Sequence, residues 1–98
     1  MTASVLRVAQ CWYSAEDYAD IKAAMEDGHL LPVLYAHWLE GAEQREEQAR
    51  ANGATVVRVP FDLAEFRRFC AHFRVSLNAD TRAKFAAIKS SQDKSGFH

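Results

Sequence analysis

The stretch Ala54-Thr-Val-Val-Arg-Val-Pro60 most constrains what this chain can fold into. Its β-branched residues favour a pleated, extended backbone. Alternation puts Val57 and Val59 on one face and Val56 and Arg58 on the other. Pro60 ends it. A solitary strand leaves backbone N–H and C=O groups unbonded, so a neighbour is required. One candidate lies in the same chain: residues 3–13, ASVLRVAQCWY, are partly alternating and read as a strand or an extended arm. The other is the same strand in a second copy.

Helical signals surround this strand. Residues 32–52, PVLYAHWLEGAEQREEQARAN, start at a proline and stop against Gly53, as a helix with a left-handed cap would. Such a helix spans about 30 Å. Leu34, Tyr35, Trp38, Leu39 and Ala42 form an apolar stripe in its first half. Glu43 to Asn52 is mostly polar and predicts a surface half, with Glu46 and Arg50 paired one turn apart. Gly41, unfavourable in a helix interior by about 1 kcal/mol relative to Ala, predicts close approach of another backbone. An earlier helix opens at Ser14, with Ser14/Asp17 at capping-box spacing and Tyr13/Tyr18 at staple spacing. It buries Tyr18, Ile21 and Met25 and ends at Asp27-Gly28. With so short a link, these two helices should lie as an antiparallel or steeply angled pair, a helical hairpin.

Asp62/Glu65 and Phe61/Phe66 repeat the capping and staple signals for a third helix, whose apolar face is Leu63, Phe66, Cys70 and Phe73. A fourth helix, capped by Asn78 or Asp80, carries Phe85 and Ile88 to about Lys89. Ser90 onward has the composition of a frayed tail. The fold class expected is therefore α+β and predominantly helical: a helical hairpin, one strand (paired with an N-terminal strand if that arm is extended), then two further helices. Residues 1–89 make one compact domain and 90–98 a flexible tail.

The chemistry-bearing residues do not converge on a reaction. The four histidines and two cysteines show no Cys-x-x-Cys or His-x-x-x-His spacing, and the four glycines are isolated, so neither a metal site nor a phosphate loop is expected. Cys70, between Phe66 and Phe73 on an apolar face, reads as an inert core thiol. No cofactor is expected, and the balance leans away from an enzyme. No apolar run reaches the ~20 residues that cross a bilayer. No membrane partner is expected, and with no secretory signal at residues 1–14 the location expected is cytoplasmic.

Three functional readings follow. The first is a small protein-interaction or regulatory module that self-associates as a homodimer or meets another protein, using residues among Trp12, Tyr35, His37, Trp38, Val57 and Val59. It rests on the strand's need for a partner and on the enrichment of Trp and Tyr in interfaces. Charge polarity adds to it: five Lys/Arg against nine Asp/Glu in residues 1–60, a balance of −4, and seven against four in 61–98, a balance of +3. The second is DNA binding through a degenerate helix-turn-helix at 61–89, with Arg74, Arg82, Lys84 and Lys89 on phosphates. The run 69–85 resembles that motif at Val75-Ser76 and Thr81-Arg82. It departs from it at Arg74, where glycine is usual, and at Asp80, which has the wrong sign to face phosphate. The third is a small-molecule or enzymatic pocket around Tyr35, His37 and Trp38.

Overall fold

A computed structural model describes residues 6–95, with side chains through Ser91. The valine-rich stretch is strand β2, Ala54–Pro60, and it finds its neighbour within the chain. Strand β1, Leu6–Trp12, pairs with it in parallel, in register from Leu6 opposite Ala54 to Trp12 opposite Pro60. Residues 3–5 of the expected arm lie outside the described residues. A parallel pair needs a long return connection, and residues 13–53 supply it. That connection holds helix α1 (Tyr18–Ala24), a 3₁₀ turn (Gly28–Leu30) and helix α2 (Tyr35–Ala51).

The first helix is shorter than its sequence suggests. Ser14 Oγ does accept from the Asp17 N–H at 3.2 Å, and the Tyr13 and Tyr18 rings lie 6.1 Å apart. Yet Met25 is already extended, and the chain turns through Gly28 instead of running helically to Asp27. A methyl built on Gly28 would overlap the Lys22 carbonyl, so this turn requires glycine. Lys22 Nζ closes it with a 2.6 Å bond to the Gly28 carbonyl.

The long helix begins three residues later than expected, at Tyr35, because Leu34 is extended (φ −97°, ψ 133°). The Tyr18 hydroxyl donates to the Pro32 carbonyl at 2.5 Å and ties that loop to α1. Leu34 is therefore exposed and does not extend the apolar stripe; Trp38 and Ala42 are buried as expected. The polar second half holds a correction too. Glu46 is 2% exposed, its carboxylate gripped by Arg58 of β2 at 2.7 and 2.8 Å, while Arg50 is only a 3.8 Å neighbour. Gly53 ends the segment with φ +87°, as its position predicts.

Helix α3 (Leu63–Phe73) starts at Asp62, whose Oδ1 accepts from the Glu65 N–H at 3.1 Å. Glu65 does not reach back to complete a capping box; its carboxylate pairs with Lys89 at 2.8 Å. The helix ends on Arg74 in the left-handed region (φ 56°), with Val75 N–H bonding the Cys70 carbonyl and Arg74 N–H the Ala71 carbonyl. Asn78 then caps helix α4 (Ala79–Ser95) by accepting from the Thr81 N–H and hydroxyl. This helix continues beyond Lys89. Ser90 is buried and accepts from Arg7 Nη2 at 3.0 Å, so a residue assigned by composition to a tail sits in a packed seam.

The small sheet is covered on both faces. Under α2 lie Gln10, Trp12 and Arg58; Gln10 Nε2 reaches the Ala42 carbonyl and Arg58 reaches Glu46. Under α4 lie Arg7, Cys11 and Val59; Cys11 Sγ donates to the Arg82 carbonyl at 3.4 Å. Two aromatic groups fill the core. Tyr13, Tyr18, Tyr35 and Trp38 gather beside α2, and Phe61, Phe66 and Phe85 gather between α3 and α4; Tyr13 joins them at 5.2 Å from Phe61. Each fully buried side chain of this size contributes about 1.5–3 kcal/mol before entropy. The architecture is thus a mostly helical α+β fold in which α2 and α4 flank a two-stranded parallel sheet. Among the described residues, no helix is long and apolar enough to cross a membrane.

Candidate interaction groove

Pairing β1 with β2 satisfies only one side of each strand. In a parallel ladder a residue's N–H and C=O point to the same side, and successive residues alternate. Phe61 N–H donates to the Trp12 carbonyl at 3.1 Å, which directs Trp12 toward β2. By alternation Leu6, Val8 and Gln10 also face β2, while Arg7, Ala9 and Cys11 turn their backbone groups outward. No hydrogen bond from another described residue reaches the outward groups of Ala9 or Cys11.

That outer edge lies at the floor of a groove. A cleft of about 440 Å³ is bounded by Ala9, Gln10 and Cys11 of β1, by His37, Trp38, Gly41 and Arg45 of α2, and by Ala79, Arg82, Ala83 and Ala86 of α4. A second cleft of about 290 Å³ continues along the same edge from Ala9 to Arg7, Ala87 and Ser90. Alanines keep the α4 wall low, while Trp38 and the loop residues Leu30, Leu31 and Pro32 also border the larger cleft. Gly41 serves this opening: a Cβ there would meet only Arg45 Nη1, at 3.4 Å, so no other backbone packs against it as its mid-helix position had suggested.

The electrostatics of the groove are one-signed. Among the described residues, no carboxylate lines either cleft. Arg82 is compensated, forming a two-point ion pair with Asp27 at 2.8 and 3.2 Å that holds the Asp27 carboxyl below its usual range. Arg45 and Arg7 form no ion pair with a described residue. Arg45 Nε donates to Gln10 Oε1 at 3.0 Å and Arg7 to Ser90, both neutral acceptors. The Cys11 thiol is buried: burial pushes it up to about 12, and the nearby Arg82 charge offsets this only in part.

The residues expected to form a site separate. His37 is exposed on the groove wall and Trp38 is buried beside it, so these two meet at the groove. Tyr35 turns inward and donates to the Tyr13 carbonyl at 2.9 Å. Trp12 packs edge-on against Trp38 and lies under the Arg58 guanidinium at 3.7 Å. Val59 is buried and Val57 packs on the core. The aromatic group is therefore mainly core. Of the cations named for a nucleic-acid surface, Arg82 and Lys89 are engaged by Asp27 and Glu65, which removes half of that phosphate-binding set. Arg74 and Lys84 remain exposed.

Sequence reasoning missed Arg7, Ala9, Arg45, Ala83 and Ala86 as groove residues. One signal was present: Ala79, Ala83 and Ala86 recur at helical spacing and mark a low stripe on α4. No family model, curated protein or solved structure matches the chain.

Proposed function

We propose that this chain is a non-enzymatic protein-interaction module that receives an extended segment of a partner along the outer edge of β1. The observation that carries the reading is an unpaired strand edge at the floor of a groove between two helices. Strand addition there would satisfy the outward N–H and C=O groups of Ala9 and Cys11 and cover the exposed Ala79 and Ala83 of the α4 wall. The need for a second copy to complete β2 is met inside the chain, so self-association moves to this same edge. Pairing of two β1 edges would bring Arg7 and Arg45 together with their counterparts and, among the described residues, no carboxylate between them, which disfavours a tight homodimer. A cytoplasmic setting belongs to the same proposal, supported by two buried free thiols, Cys11 and Cys70.

Selection from a displayed library of extended peptides, followed by amide hydrogen exchange on the captured complexes, tests this reading. Captured peptides should slow exchange at the Ala9 and Cys11 amides and leave the Gln10 amide, already bonded to β2, unchanged. Ala9→Pro removes an outward N–H on an edge strand, a position that tolerates proline, and should abolish capture while preserving the fold. Capture that persists in Ala9→Pro, with no protection at Ala9 or Cys11, overturns the proposal. Sedimentation velocity over a concentration series reports whether a second copy can fill the groove.

A further inference from the structure

We infer that the segment received by the β1 groove is acidic and carries two carboxylates three residues apart. This rests on the strand-addition reading above and specifies the chemistry of the occupant.

Arg45 and Arg7 stand on opposite walls at different levels. Arg45 belongs to α2 and is bonded to Gln10, so it marks the level of Gln10 on the α2 side. Arg7 is bonded to Ser90 of α4, so it marks the level of residue 7 on the α4 side. A strand added to this edge places each side chain on the same face as the β1 residue opposite it. The residue opposite Gln10 therefore points toward Arg45, and the residue opposite Arg7 points toward Arg7. These positions are three residues, or about 10 Å, apart at the rise of a β-strand. An odd separation sends the two side chains to opposite faces, as the two arginines require. A spacing of two or four would put both on one wall and leave one arginine unanswered.

The residues around these cations sharpen the preference. Among the described residues no carboxylate lines the groove, and both guanidiniums hold neutral acceptors that a carboxylate would outmatch. Guanidinium favours a planar two-oxygen partner. Basic or neutral extended segments could pair with the backbone edge but would leave both cations unmatched.

Three synthetic peptides of threonine and valine test the inference: one with two glutamates three apart, one with glutamates two apart, and one with glutamines three apart. Binding is read by titration calorimetry at low and moderate salt, with amide exchange at Ala9 and Cys11. The three-apart glutamate peptide should bind tightest, weaken with salt and protect both amides. Arg45→Gln and Arg7→Gln should each weaken it about two- to fivefold, the range for an exposed ion pair, and should weaken the glutamine peptide less. Equal affinity for all three peptides, with the amides protected, overturns the acidic preference and leaves strand addition standing. Absence of binding and of protection with every peptide overturns strand addition itself, and the present inference with it.

Discussion

Replacing Phe66 by alanine should lower stability by about 3–5 kcal/mol, the range for a buried phenylalanine. The structure places it at the upper part of that range. Phe66 is 0% exposed, with ring centroids of Phe61 at 5.0 Å, Phe85 at 5.3 Å and Phe69 at 6.4 Å. Phe61 sits at the end of β2 and Phe85 on α4, so the cavity walls belong to separate backbones and collapse poorly. Loss of the aromatic contacts adds about 0.5–1.5 kcal/mol for each well-placed pair. For a chain of this size 1 kcal/mol corresponds to roughly 4 °C at the lower end, so a loss of about 4–5 kcal/mol should lower the midpoint by at least about 16–20 °C. Phe73 is an internal control: the same residue on the same helix, but 56% exposed. Phe73→Ala should move the midpoint by less than about 4 °C. Circular dichroism melts of the two variants beside the parent give the comparison. Equal midpoints for both, or a Phe66→Ala shift no larger than that of Phe73→Ala, would refute the packing of α3 against α4 described here.

Other expectations concern charge, backbone and thiols. The hydrogen bonds from Arg58 hold the Glu46 carboxyl below its ordinary 4.5 despite opposing burial. Its contribution is thus present above the unfolded value and lost as pH falls through the folded one; Glu46→Gln should be less stable than the parent at pH 7 and converge with it in acid, and a pH-independent gap in melting temperature would contradict this. Arg74 occupies a left-handed position, so Arg74→Gly should stabilise by about 0.5–1 kcal/mol in urea titrations, whereas Gly28→Ala should destabilise by about 1–3 kcal/mol because its methyl meets the Lys22 backbone. Burial raises both the Cys11 and the Cys70 thiol, so neither should react with a thiol reagent at pH 8 until the chain unfolds; rapid labelling of the native protein would contradict their placement.

Local chemistry made much of this chain legible. Pro60 and Gly53 bound β2 because their effects act within a residue or two, and Asp62 and Asn78 cap their helices because a short side chain reaches only the next turn. The same range explains the errors. Leu34 has the spacing of a helical stripe, but the distant Tyr18 hydroxyl bonds the Pro32 carbonyl and Leu34 itself is extended. Glu46 read as a surface residue, since nothing nearby in sequence shows that Arg58 comes across from β2 to bury it. Ser90 looked like a tail residue until Arg7, from the far end of the chain, reached it. The groove is the extreme case. Its floor is the unpaired edge of β1, and which edge of a strand stays open depends on where its neighbour docks and in which direction. Residue order established that β2 must have a partner; only the parallel return through α1 and α2 decided that β1 would be it, with Arg7 and Arg45 left flanking its free side.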